Sequence, residues 1–195
     1  MTKEQTRTRI LDAAESLFFT EGIAATGVDR VASVAGVSVV TLYAHAGSKD
    51  GLLADVLQRR LDGWRAVWDE QVAAAPGPQE RVLAVFDALV AFRDRSSSAQ
   101  WCSFLATASE RPASSGGAEG EDRAGELVDA DTAGLVGRLR ELAADVDPER
   151  AEEIADTVLL LYNGALASLL RGVPQDPAER AAQAARAALG WQRPS

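Results

Sequence analysis

Between positions 38 and 49, Ser38, Thr41, Tyr43, His45 and Lys49 place hydroxyl, imidazole and ammonium donors in quick succession among small and apolar residues. Such donors suit phosphate oxygens and base edges better than bond-breaking chemistry. Catalysis finds little material elsewhere. His45 is the only histidine and Cys102 the only cysteine. A histidine base, a histidine-built metal site, a cysteine-built zinc site and an intrachain disulfide all lack the residues they need. The carboxylate groupings Glu152–Glu153 and Glu119/Glu121/Asp122 read as solvated helix surface and loop, and Cys102 as a small buried hydrophobe. The sequence predicts neither an enzyme nor a cofactor.

The elements that must position the donors are two short helices. Thr26 or Gly27 can open one that turns Val28, Val31, Ala32 and Ala35 inward. Gly36 breaks it, and Ser38 can cap a second running to about His45. Val31, Ala32, Val34, Val37 and Leu42 are expected to hold the pair together as a helix-turn-helix over about residues 27–46, whose second helix can enter a DNA major groove. Ahead of it, Thr2 and Gln5 form a capping box for a helix carrying Ile10, Leu11, Ala14, Leu17 and Phe18 on one face, with Gly22 as a left-handed stop. After it, Ser48 caps a long fourth helix through Leu53, Val56, Leu57, Leu61, Trp64, Val67 and Trp68. Pro76-Gly77-Pro78 closes that helix and opens a fifth, with Val82, Phe86, Leu89, Val90 and Phe92 inward. A short helix around Trp101 to Ser109 precedes a loop over Arg111 to Gly120. Leu127, Leu135, Leu139, Leu142 and Val146 mark a seventh helix, Asp147-Pro148-Glu149 starts an eighth, and Asp176-Pro177 starts an alanine-rich ninth.

Composition agrees with that pattern. The 195 residues are 47% hydrophobic and 25% charged, and Ala and Leu dominate over β-branched types, which favours helix over strand. The expected fold is all-α, with about nine helices. Net charge is −9, unfavourable for nucleic acid as a whole. Residues 1–60, however, balance Lys3, Arg7, Arg9, Arg30, Lys49, Arg59 and Arg60 against Glu4, Asp12, Glu15, Glu21, Asp29, Asp50 and Asp55, so the deficit lies in 61–195. No apolar run approaches the roughly 20 residues of a bilayer span. The best stretch, Val158 to Leu170, is broken by Asn163, Gly164 and Ser168. Met1 to Gln5 lacks a signal-peptide core. A cytoplasmic protein without a membrane partner is expected.

The chain resembles the tetracycline-repressor (TetR) family of transcriptional regulators over roughly residues 4–64. The residues that carry the resemblance are Ile10-Leu11-Asp12-Ala13-Ala14, Leu17-Phe18, Gly22, Thr26, Val31-Ala32, Ala35-Gly36-Val37-Ser38, Thr41-Leu42-Tyr43, His45 and Ser48-Lys49-Asp50-Gly51-Leu52-Leu53. This implies an N-terminal three-helix DNA-binding domain over 4–64 and a larger ligand-binding and dimerisation domain over 65–195. The implied function is a repressor, with a palindromic DNA operator, a homodimeric partner and a small-molecule effector. Thr26, Arg30, Ser38, Val39, Val40, Thr41, Tyr43, His45 and Lys49 become the candidate DNA contacts. The family pattern is departed from at Val39-Val40, where relatives usually carry a polar or basic residue followed by a small one, at Ala44, where they carry a larger side chain, and at Ala46, where an aromatic normally plugs the junction with the fourth helix. Valines there can contact thymine methyl groups; the other reading is a weakened DNA surface, which would leave a helical dimerisation or adaptor protein.

Trp64, Trp68, Phe86, Trp101, Phe104 and Tyr162 are the candidate lining of an apolar effector pocket, with Arg93 and Arg95 able to pair with one carboxylate. The eighth helix is apolar on two faces, Ile154/Val158/Leu161/Ala165/Leu169 and Leu159/Tyr162/Leu166/Leu170. With Ala181, Ala184, Ala185 and Ala188 of the ninth, it predicts a four-helix, self-complementary dimer interface.

Overall fold

The structure is a computed structural model and describes residues 2–95, 103–110 and 122–192. Those residues form nine α-helices and no strand: α1 (Lys3–Glu21), α2 (Val28–Ala35), α3 (Val39–Ala46), α4 (Lys49–Ala74), α5 (Pro78–Arg95), α6 (Ser103–Glu110), α7 (Arg123–Ala144), α8 (Ala151–Arg171) and α9 (Pro177–Leu189). The all-α expectation therefore holds among the described residues. The chain divides into two compact units, one built from Met1–Leu61 with Cys102–Asp131, the other from Asp62–Trp101 with Thr132–Ser195. The first unit thus draws on α6 and the start of α7, an arrangement that a linear boundary near residue 64 does not convey.

In the first unit, α1 opens with the expected capping box. The Gln5 N–H donates to Thr2 Oγ1 at 3.2 Å and the Thr2 N–H to Gln5 Oε1 at 2.9 Å, so two donors left over at a helix start are satisfied reciprocally. Ile10, Leu11, Ala14, Leu17 and Phe18 are all buried, and α1 packs against α2, which packs against α3. Gly22 has φ +97° and ψ 144°. That is not the left-handed helical cap expected from sequence, because its extended ψ sends the chain away from the helix into a turn. A charged cluster joins α1, α4 and α6 within this unit. Arg60 on α4 is only 6% exposed. Its Nε donates to Ser103 Oγ at 2.8 Å and its Nη1 to Glu15 Oε1 at 2.6 Å, while the guanidinium carbon lies 5.9 Å from the centre of the Phe19 ring. Glu15 also accepts from Arg59, which donates to Asp12 at 2.7 Å. Arg59 is half-buried: burial disfavours its charge, but the hydrogen bonds and fields of Glu15 and Asp12 outweigh that and raise its pKa.

In the second unit, α5, α8 and α9 pack together. Pro78 begins α5 as expected, and Val82, Leu83, Ala84, Val85, Phe86, Ala88 and Leu89 are buried on it. Val90 is 48% exposed rather than inward. The α8 start also differs. Asp147 uses its carboxylate to accept from the Glu149 N–H at 3.1 Å and its carbonyl to accept from Arg150 at 3.2 Å. It therefore closes a turn, and the helix begins only at Ala151. Asp176 likewise makes no side-chain cap, although Pro177 opens α9 as expected.

α8 has the length and apolar content of a membrane-crossing helix, contrary to the sequence reading, yet Ile154, Ala155, Val158, Tyr162, Ala165 and Leu166 are buried. Five of those six, all but Ala155, come from the two faces inferred from sequence, and both faces contribute. On the uncovered side of α8, Leu160 is 72% exposed, and Ala167 and Leu170 are exposed near it with Asn163 among them. On α9, Ala181 and Ala185 are buried inside the protomer, whereas Ala184 and Ala188 remain exposed.

Candidate nucleic-acid interface

The turn between α2 and α3 is made by backbone chemistry that is local in sequence. Gly36 adopts φ +64° and ψ +40°, the left-handed region, and its N–H donates to the Ser33 carbonyl at 3.1 Å. Arg9 of α1 lies over this turn and donates to the Ala35 carbonyl. Any Cβ at position 36 would collide with the Arg9 guanidinium. Glycine is therefore favoured by its dihedral angle, and a side chain there would also push the Arg9 guanidinium aside. Ser38 then caps α3, its Oγ accepting from the Thr41 N–H at 3.1 Å.

The helix pair is held by Val31, Ala32, Ala35 and Leu42, all buried. Leu42 is the one buried residue of α3, and its burial contributes roughly 2 kcal/mol. Val34 is 49% exposed and Val37 only partly covered, so these two contribute less to the joint than expected. At the far end of α3, a Cβ on Gly51 would strike the Ala46 carbonyl. The α3–α4 junction is thus closed by backbone contact at Gly51; nothing in the structure explains the small side chain at Ala46.

The donor set is distributed unevenly. Tyr43 is 43% exposed; His45, Val39 and Thr41 are half-buried at the surface of α3. Ser38 Oγ and Thr41 Oγ1 lie 2.8 Å apart and share a hydrogen bond, so each is already engaged by the other. Lys49 is half-buried, and its Nζ donates to the Ala24 carbonyl at 3.4 Å. Arg30 is exposed and pairs with Glu21 at 3.4 Å. Thr26 is buried, with its hydroxyl donating to the Gly22 carbonyl at 2.7 Å and lying 3.3 Å from that of Leu17. It holds the α1–α2 turn from within, away from the surface that carries the other candidates. Val40 is 80% exposed.

Two positioning residues escaped sequence reasoning. Arg9 reads as ordinary solvated helix surface, with nothing local to single it out. Glu110, the last residue of α6, accepts from the Ala24 N–H at 2.9 Å and the Ile23 N–H at 3.3 Å. It fixes the turn from a part of the chain far away in sequence, and no local pattern could have revealed it.

Of the aromatics proposed as pocket lining, Trp64, Trp68 and Tyr162 come together in the second unit. Trp64 lies 5.8 Å from Trp68, 5.9 Å from Tyr162 and 5.7 Å edge-on from Phe92, ring centre to ring centre. Arg138 covers the Trp68 ring at 4.7 Å and pairs with Asp69 at 2.5 Å. Trp68 Nε1 is buried, and no acceptor reaches it among the described residues. Phe86 is wholly buried in α5, and Phe104 is buried in the first unit. Trp101 lies outside the described residues, as do Cys102 and the loop expected over 111–120. The second unit also bears two open clefts, of about 380 and 530 Å³. Leu89, Arg93 and Gln175 are among the residues lining the first, and Leu83, Asp87 and Arg186 among those lining the second; none of the proposed aromatics lines either cleft. Arg95 is committed to Glu70 at 2.7 Å, leaving Arg93 as the arginine at the smaller cleft. Among the described residues, no group of three His, Cys, Asp or Glu side chains could hold a metal ion.

A short helix pair closed by a left-handed glycine, with a capped and largely uncovered second helix, defines a helix-turn-helix protein. Residues 10–56 match the profile of the bacterial regulatory proteins of the tetR family. The chain is similar over nearly its whole length to SCO4454, a TetR-family transcriptional regulator from Streptomyces coelicolor. That crystal structure shares 26% identity, covers 96% of this chain and 95% of the other, and superposes with a TM-score of 0.81. It is 31% identical over 97 residues to the HTH-type transcriptional activator FasR of Mycolicibacterium smegmatis, a match covering 50% of this chain and 44% of that protein. It is 36% identical over 72 residues to the HTH-type transcriptional repressor KstR2 of Rhodococcus jostii, covering 37% of this chain and 35% of the other. Matches to such curated relatives thus span less than half of their length. The chain is thus similar to TetR-family regulators, through its N-terminal helices in sequence and over nearly its whole length in fold.

Proposed function

We propose that this chain is a cytoplasmic, homodimeric, DNA-binding transcriptional repressor whose operator affinity is set by a small, largely apolar effector, and that it is not an enzyme. The observation that carries the reading is α3. It is a capped helix held by one buried leucine, and it leaves Val40, Tyr43 and Ala44 uncovered at the tip of a helix-turn-helix. Lys49 and His45 beside it supply cationic and imidazole donors for phosphate oxygens. The near neutrality of residues 1–60 within an acidic chain lets this surface approach DNA. The relatives' names include repressors and an activator; the more frequent repressor reading is the one proposed. The exposed Leu160, Ala167 and Leu170 on α8, with Ala184 and Ala188 on α9, support an isologous dimer. Two copies would present two α3 helices to a roughly two-fold symmetric site, with half-sites about one helical turn or a multiple apart. The Trp64–Trp68–Tyr162 cluster and the unpaired Trp68 indole N–H support effector binding in the second unit, with α4 as the element through which it biases α3.

The test is selection of duplexes from a random library with the purified full-length protein, followed by titration at several salt concentrations. The expected result is a palindromic consensus whose affinity falls steeply with salt. Lys49→Ala should weaken all duplexes alike and lower the salt slope by about one per half-site. A flat salt response with no selected consensus would refute DNA binding and leave a dimerisation or adaptor module. A compound that shifts tryptophan fluorescence and releases the selected duplex would identify the effector.

A further inference from the structure

α3 reads Val-Val-Thr-Leu-Tyr-Ala-His-Ala and contains no Arg, Lys, Asn, Gln, Asp or Glu. The side chains that make paired hydrogen bonds in the major groove, Arg or Lys to guanine and Asn or Gln to adenine, are therefore missing from the whole helix. Of its hydroxyls, Thr41 is half-buried and already bonded to Ser38. What α3 presents most openly is Val40, 80% exposed. Tyr43 and Ala44 are also exposed, three and four residues further on and so on the same helical face. A valine so uncovered on the first turn of a helix contributes nothing to the core, which α3 reaches through Leu42 alone.

Resting on the DNA-binding reading above, we infer that α3 selects its operator by the C5-methyl groups of thymines, with Val40 as the principal methyl contact and Ala44 leaving the room for it to approach. The occupant of this apolar face is the thymine edge of a duplex major groove, because thymine is the one standard base that offers a methyl group there. An apolar helix face can discriminate it without any paired hydrogen bond. Shape and charge agree with that occupant. Ala44 and the exposed Gly47 keep the face low on the Val40 side, and Lys49 follows at the start of α4, where a phosphate contact would set the register of the valine.

The experiment uses the full-length protein and the duplex it selects from a random library, with each thymine replaced in turn by deoxyuridine. That exchange removes one methyl group and leaves base pairing and backbone charge untouched. At least one thymine in each half-site should weaken binding about fourfold on replacement, and the symmetric pair together about fifteenfold, with the salt slope unchanged. In Val40→Ala, whose exposed position leaves folding intact, the thymine-over-uracil preference at that position should fall to within about twofold of unity. Two results would overturn the inference while leaving DNA binding intact. One is a selected duplex in which every thymine-to-uracil exchange is neutral. The other is a preference that survives Val40→Ala. Failure to select any duplex would instead strike the DNA-binding reading itself.

Discussion

Glu15→Ala should be among the most damaging substitutions available outside the apolar core. Arg60 is 6% exposed, with a charged partner in Glu15 at 2.6 Å, a neutral one in Ser103 at 2.8 Å and an aromatic face in Phe19. The Glu15 side chain is itself only 16% exposed and also accepts from Arg59, so solvent screens this cluster little. Removing the carboxylate takes a counter-charge away from a buried guanidinium, at a cost of about 3 kcal/mol. For a chain of this size that corresponds to a fall in melting temperature of roughly 6–12 °C. Ser103→Ala removes one hydrogen bond to the same charge and should cost less, about 1.5 kcal/mol. The decisive variant is the double one. Glu15→Gln with Arg60→Met removes both charges and retains comparable volume, so it should recover most of the loss seen in Glu15→Gln alone. Thermal and urea denaturation would read the four variants beside the parent. A Glu15→Ala chain melting within about 2 °C of the parent, or a double variant no better than Glu15→Gln, would show that burial of Arg60 is not the controlling cost.

Gly36→Ala should destabilise by about 1–3 kcal/mol, since φ +64° is strained for alanine and the new methyl displaces Arg9 from the Ala35 carbonyl; unchanged urea unfolding would refute this. Leu160→Glu, at a position 72% exposed, should keep helical content by circular dichroism yet sediment as a monomer at micromolar concentration, and a parent protein that is itself monomeric there would remove the dimer. The Arg95 guanidinium, bonded to Glu70, holds that carboxyl below the usual carboxylate range. A depressed folded pKa stabilises above the unfolded value and is lost as pH falls through the folded one. The small melting difference between the parent and Arg95→Gln should therefore be present at neutral pH and vanish in acid; a difference that grows on acidification would reverse the assignment.

The parts of the site that were legible in the sequence are those whose chemistry is local. A serine N-cap, a left-handed glycine, a proline at the first turn of α5 and the Thr2–Gln5 box each act within a few residues of themselves. Periodicity likewise exposed Leu42 as the anchor of α3. Illegible were the choices made by contacts distant in sequence. Thr26 has the hydroxyl of a surface donor, yet the carbonyls of Leu17 and Gly22 claim it. Arg60 has the charge of a solvated residue, yet Glu15 and Ser103 bury it. Ala181 and Ala185 differ from Ala184 and Ala188 only in which way α9 is turned, and composition alone cannot express that. Asp147 offered a cap and closed a turn instead, because its carbonyl and carboxylate together serve Glu149 and Arg150.

The discontinuity of the first unit matters for how the protein is made and rebuilt. Glu110 and Ser103 reach α1, α2 and α4 from beyond residues 62–101. During synthesis at roughly 5–20 residues per second, the helix-turn-helix therefore emerges and waits for several seconds with its α1–α2 turn uncapped and Arg60 lacking Ser103. The first unit is completed only after the intervening segment has left the ribosome. The same order governs chimeras. A graft that transplants residues 1–61 onto another domain leaves behind two of the clamps that hold this unit in shape, whereas one that also carries 102–131 brings them along.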